Sequence, residues 1–144
     1  MPQRSIRSLI AGQHPVTAPA TTSVHDAARL MKAHHVSAMM VVEREQLAGI
    51  FTERDALFRV IAEGRNPKTT RIGAVMTANP KTIDVDRPFV HALMIMYEGG
   101  FRHVPVISQG RPAGMVSARD ALDLEWRECD AELERRERLG AVIG

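Results

Sequence analysis

The 144-residue chain has little of what stabilises secreted or membrane-embedded folds. Its single cysteine, Cys129, excludes an intrachain disulfide framework and a cysteine-based zinc site, and it agrees with a reducing compartment. No apolar run approaches the roughly 18 residues of a membrane span, and the start MPQRSIRSLIAGQH lacks the apolar core of a secretory signal. The expected setting is cytoplasmic, with no membrane partner. Aromatic residues make up only 4%, and the net charge of +2 comes from 19 basic and 17 acidic residues scattered among one another, which argues against nucleic acid as a partner. No nucleophile, base and acid stand out as an arrangement, which argues against an enzyme. What remains is an ordinary globular composition, 44% apolar and 25% charged, suited to one compact domain or two small ones sharing a core.

What is present is a repeat. Shifting the chain by 65 residues lays Pro15–Leu57 over Pro80–Leu122 without a gap and gives eleven identities, among them Pro15/Pro80, Thr17/Thr82, Gly49/Gly114 and the run Arg54-Asp55-Ala56-Leu57 over Arg119-Asp120-Ala121-Leu122. About two or three matches would be expected by chance from composition. Within each copy the apolar period alternates between strand and helix. Val24, Ala27, Leu30 and Met31 fall on one helical face of Ser23–His34, with Ser23 as N-cap. Val36–Glu43 and Leu47–Phe51 read as strands joined by Arg44-Glu45-Gln46, and Thr52–Glu63 reads as a helix stopped at Gly64. The second copy follows suit: Lys81–Val85 extended, Phe89–Glu98 helical with Gly99-Gly100 ending it, Val104–Ser108 and Ala113–Val116 as strands around Gln109-Gly110-Arg111-Pro112, then a helix.

The expected fold class is therefore α+β, with two tandem pseudo-symmetric β-α-β-β-α repeats packed sheet to sheet. A unit of about 55 residues buries too little surface to stand comfortably alone. The expected boundaries are residues 6–65 for the first repeat, 71–128 for the second and 129–144 for a C-terminal helical tail, with Asn66–Thr70 as the linker.

These residues resemble the cystathionine-β-synthase (CBS) domain pair, or Bateman module. The carriers are the two Gly-apolar-x-Thr/Ser-x-x-Asp motifs, Gly49–Asp55 and Gly114–Asp120, the run Val75-Met76-Thr77 with Pro80 and Thr82, and Arg102-His103-Val104-Pro105-Val106. The resemblance covers nearly all of residues 6–126. It implies a non-enzymatic regulatory module that binds adenine ligands (AMP, ADP, ATP, S-adenosylmethionine or NAD) in clefts between the repeats. It further implies a homodimer and, since no output domain is attached, an unknown target protein. On the resemblance Asp55 and Asp120 take ribose hydroxyls, Thr52 and Ser117 take phosphate with Arg54, Arg119, Arg102 and His103, and Thr17, Ala18, Thr82 and Ile83 frame the adenine. The middle-strand stretches Ala38-Met39-Met40 and His103-Val104-Pro105 complete the expected lining.

The chemistry fits: a carboxylate accepts two vicinal hydroxyls together, and a helix N-terminus with free N–H groups attracts an anion. The same spacing also spells a capping box, in which the hydroxyl accepts from the third N–H and the acid reaches back. Both roles stay open, although capping gives no reason for Arg54 and Arg119. The copies are unequal, because Ser37-Ala38-Met39-Met40 stands where the second copy has Arg102-His103-Val104-Pro105. The stronger phosphate site is expected to include either the second motif or that strand. His34-His35 invites a metal reading, but adjacent residues point apart and helix-end polarity explains them better; Met31, Met39, Met40, Met94 and Met96 read as core filling. Leu122, Trp126, Cys129 and Leu133 step by four, three and four along the charged tail, a seam for either packing on its own module or dimerisation.

Overall fold

The computed structural model describes residues 5–143, with side chains through residue 140; Gly144, the end of the expected tail, lies outside them. The repeat emerges as two sheets. In the first repeat β1 (Thr17–Ala18), helix α2 (Val24–His34), β2 (Ala38–Glu43) and β3 (Gln46–Thr52) are followed by a helical turn, α3 (Glu53–Asp55), that continues as a π-helix over Ala56–Ile61. The second repeat has β5 (Ile83–Asp84), α5 (Phe89–Gly99), β6 (His103–Ser108), β7 (Arg111–Ser117) and α6 (Ala118–Ile143). In each sheet the first short strand runs parallel to the middle one and the last two form an antiparallel hairpin.

Local chemistry accounts for these elements. Ser23 caps α2, its hydroxyl accepting from the Asp26 N–H at 3.0 Å, and Val24, Ala27 and Met31 on one face are buried. The hairpins turn on two residues each, Arg44-Glu45 (φ 51° and 65°) and Gln109-Gly110 (φ 52° and 75°), shorter than the three- and four-residue connections expected. Positive φ at both central positions matches the right-handed twist of the flanking strands, so Gln46, Arg111 and Pro112 are drawn into the ladder. Helix α5 stops at Gly100 in the left-handed conformation (φ 70°), and at the equivalent end of α2 the left-handed residue is His35 (φ 52°).

Three short elements escaped the sequence reading: α1 (Ile6–Ile10), α4 (Ile72–Val75) and β4 (Thr77–Ala78). They decide how the repeats join. Ile72 and Val75, which open the second repeat, complete the core of the first, beside Val24, Met31, Met39, Val41 and the fully buried Phe51. Ile6 and Ile10, which open the first repeat, complete the core of the second, beside Phe89, Met96, Val104, Val106 and Val116. β4 likewise adds to β3 of the first sheet. Each core is thus closed by the leading helix of the other repeat, which answers the shortage of burial expected for a 55-residue unit by exchange rather than by one shared core.

The motif glycines serve this exchange. A Cβ at Gly49 would lie 2.7 Å from the Thr77 carbonyl oxygen, and one at Gly114 would lie 2.9 Å from the Ile10 Cβ. Only glycine lets the crossing segments approach the strands so closely. The opposite sheet faces meet each other. Met40 and Ile50 pair across the β2–β3 hairpin and are buried without belonging to the helix-side core, as strand alternation requires, and β3 lies against β7. Met31, Met39, Met40 and Met96 are buried as expected, but Met94 is 54% exposed because it faces away from the sheet. The expected tail is no separate element: α6 runs unbroken from the second motif as 26 residues.

Candidate functional site

Two clefts lie at the junction, each built from both repeats. The first, of about 310 Å³, takes Thr52, Glu53, Arg54 and Asp55 from the first motif, Thr77, Pro80 and Lys81 from the segment leading into the second repeat, and Phe101, Arg102 and His103 at the start of β6. The second, of about 280 Å³, takes Ser117, Arg119 and Asp120 from the second motif, Gln13 to Val16 from the segment leading into the first repeat, and His35 to Ala38 with Met40. The 65-residue shift carries most of one lining onto the other. Crossing is the unexpected part: Arg102 lines the cleft of the first motif rather than the second, 4.0 Å from Glu53, while His103 lies between the two. Of the two features expected to mark the stronger phosphate site, Arg102 lies in the cleft of the first motif and the second motif lines the other cleft.

Other expected residues are not brought into either lining. Ala18 and Met39 point into the first core and Ile83 and Val104 into the second, as the strand alternation that buries them demands. Pro105 is fully buried between the sheets, Thr17 is exposed and Thr82 half-buried. Their neighbours Val16 and Lys81 line the clefts instead. The sequence reading missed Arg59, Phe58, Lys81, Phe101 and Gln13; of these, Arg59 was within reach, since it stands four residues after Asp55 on the same helix face.

The two motifs differ in how much of their polarity is already used. At Thr52 the capping box is complete: the Asp55 N–H donates to Thr52 Oγ1 at 3.4 Å, and the Thr52 N–H donates to Asp55 Oδ2 at 2.9 Å. Asp55 is 7% exposed, and its other oxygen lies 3.6 Å from Arg59 Nε. Arg59 is held in turn, donating to the Val75 and Met76 carbonyls at the end of α4 (3.1 and 2.9 Å). At Ser117 only half the box forms, the Ser117 N–H donating to Asp120 Oδ2 at 2.7 Å. Leu124 stands where Arg59 would be, and among the described residues no arginine forms an ion pair with Asp120.

Charge is distributed the other way. Arg54, Lys81, Arg102 and His103 surround the first cleft, offset by Glu53, which lies 4.0 Å from Arg102 Nη2. Arg54 also stands 5.7 Å over the Phe58 ring, a cation–π contact at the cleft wall. The second cleft has Arg119 with His14 and His35. His103 borders both clefts and bonds across the junction, its Nε2 lying 3.0 Å from Ser37 Oγ. Burial, the largest influence, holds the His103 pKa below the ordinary histidine value; Glu53 and Asp120 oppose this and Arg102 adds to it. A serine on a histidine Nε2 is two-thirds of a nucleophilic triad, but among the described residues no carboxylate reaches hydrogen-bonding distance of His103. In the second cleft Gln13 replaces a strand: its amide exchanges two 3.1 Å bonds with the Met115 backbone, at the position equivalent to Ile50, which pairs with β4 in the first sheet.

The family model for the CBS domain matches the chain twice, over residues 6–62 and 72–126. The chain belongs to the CBS domain family. The tandem CBS domains place its two clefts at the junction of a domain pair. The mitochondrial CBS domain-containing protein CBSX3 of Arabidopsis thaliana is 39% identical over 118 residues, covering 78% of this chain and 57% of its own length. The chain thus spans little more than half of that relative. Among solved structures, the CBS-domain protein ATU1752 of Agrobacterium tumefaciens superposes with a TM-score of 0.77 at 30% identity, covering 85% of this chain and 99% of its own. The CBS domain protein PAE2072 of Pyrobaculum aerophilum, solved in complex with AMP, shares the fold at a TM-score of 0.72 and 23% identity, over 79% of this chain and 88% of its own. Among the described residues, no helix is long and apolar enough to cross a membrane.

Proposed function

We propose that this CBS pair is a non-enzymatic regulatory module that binds an adenine nucleotide (AMP, ADP, ATP or an NAD-type ligand) in one or both clefts and acts, as a cytoplasmic homodimer, on a separate target protein. The observation that carries this reading is the crossed construction of the clefts. A ligand there touches the motif of one repeat and the leading segment and middle strand of the other, so its binding energy depends on how the repeats sit together. Any ligand that prefers one such arrangement shifts the population toward it. Asp120, with Oδ1 free of an arginine, is the stronger ribose acceptor, and Arg54, Lys81 and Arg102 form the stronger phosphate complement. The related AMP complex supports the ligand class.

A second reading has its own observation. The completed Thr52–Asp55 capping box and the Arg59 contact show a motif engaged in holding its own helix, as a structural interaction module with vestigial sites would have it. Titration calorimetry with AMP, ADP, ATP, NAD and S-adenosylmethionine separates the two. Saturable binding of at least one ligand at micromolar to millimolar concentration is expected. Absence of heat for all of them overturns the first reading, and turnover of a ligand would restore the enzyme reading.

A further inference from the structure

The front of α6 belongs to the body: Ala118, Ala121 and Leu124 pack against the core of the second repeat. Beyond it, every described side chain from Glu125 to Gly140 is exposed, an overhang of about 24 Å at 1.5 Å per residue. Its stripe contradicts packing on the same module, since Leu122, Trp126 and Leu133 are 64%, 66% and 49% exposed. A helix of this length with a bare apolar stripe is marginal without a partner. Ion pairs within it, Glu132 to Arg135 and Arg136 and Glu134 to Arg138, steady its surface but leave the stripe uncovered.

The charges along the overhang select the partner. Residues 128–134 hold Glu128, Asp130, Glu132 and Glu134 with no base, and residues 135–138 hold Arg135, Arg136 and Arg138 with one acid, Glu137. Two such helices in parallel register would set acids beside acids and bases beside bases. Antiparallel, with the two-fold axis between Glu134 and Arg135, each basic segment lies along the other copy's acidic one, and Leu133 of each copy meets the aliphatic stem of the other's Arg136.

We propose that α6 is self-complementary and pairs antiparallel with the α6 of a second copy of this chain. This deepens the homodimer reading by naming its seam. The Cys129 residues then stand eleven residues apart along the axis, roughly 16 Å, beyond the reach of a disulfide.

Sedimentation of the full chain tests the seam. Leu133→Asp is expected to weaken self-association by 100-fold or more, losing at most the helical signal of the overhang while the two cores still unfold cooperatively. The chain carrying Arg135→Glu, Arg136→Glu and Arg138→Glu, and the chain carrying Glu128→Lys, Asp130→Lys, Glu132→Lys and Glu134→Lys, should each be monomeric alone and pair when mixed. Orientation is read by oxidation. With Cys129→Ala in both, a Leu133→Cys chain and an Arg136→Cys chain should cross-link when mixed and in neither alone, and the natural chain should form no Cys129–Cys129 bond. A Cys129 cross-link in the natural dimer overturns the antiparallel seam. A dimer indifferent to Leu133→Asp and to charge reversal overturns the seam but leaves the homodimer standing. A chain monomeric at all concentrations overturns both.

Discussion

In the first cleft Asp55 is buried, closes a capping box and faces Arg59; in the second, Asp120 accepts one N–H, and a leucine stands where that arginine would be. The bases are arranged oppositely, with Arg54, Lys81 and Arg102 around the first cleft. The two motifs are alike, and residues beside them, Arg59 against Leu124 and Arg102 against Ser37, make the two clefts differ in charge and in the groups left unpaired. A motif therefore states which groups are near a cleft, and its helix neighbours determine which of those groups are free to bind. The stability of α3 and the acceptor strength of its carboxylate draw on the same lone pairs.

That contrast can be broken most forcefully at the two acids. Asp55→Asn should cost about 2 kcal/mol of stability in urea denaturation, because it weakens a buried capping bond and leaves Arg59 without its counter-charge. Asp120→Asn should cost less than about 1 kcal/mol while lowering nucleotide affinity by about tenfold or more, the worth of a charge-assisted bond. If the Asp120 variant melted with no separable loss of affinity, capping would account for both motifs. Arg102→Ala comes next, with an expected loss of roughly three- to tenfold for AMP or ATP and little change for adenosine in calorimetry; its guanidinium is exposed, so the effect is screened. Equal losses for the three ligands would remove the phosphate role.

Arg59→Leu sharpens the comparison by making the first cleft resemble the second. Adenosine affinity there should rise about two- to threefold as Asp55 is released, with a stability loss comparable to that of Asp55→Asn, because a buried carboxylate loses its counter-charge along with the two carbonyl contacts at α4. His103 gives the smallest effect. Its lowered pKa means that between the folded value and about 6.5 the unfolded chain holds a proton that the folded chain does not, so stability rises with pH through that window. The contribution is complete above about pH 6.5 and is lost as pH falls toward the folded value. His103→Gln should flatten this slope in thermal melts from pH 5 to 7, and an unchanged slope would assign it to other groups.

Much of the architecture was legible because it is periodic. The Ser23 cap, the hairpins and the strand-to-helix motifs all express patterns spaced within a dozen residues, and the shift of 65 displays them twice. The elements that went unread, α1, α4 and β4, are two to five residues long, too short to show a period. The site was legible in its inventory and not in its pairing. Asp55, Asp120, Arg54, Arg119, Arg102 and His103 all reach a cleft, but Ala18, Met39, Ile83 and Val104 belong to cores because alternation along a strand allows only every second residue to face one side.

By itself the sequence determined the duplicated unit, its order of strands and helices, and the chemical groups available at each helix start, since these follow from local spacing and side-chain type. Only the tertiary structure decided that each leading helix closes the other repeat's core and that Arg102 lies beside the first motif. Those outcomes depend on segments far apart in the chain meeting, at glycine-thin contacts such as Gly49 with Thr77 and Gly114 with Ile10. No local pattern records such a meeting, because the free energy that selects it comes from burying two incomplete cores at once.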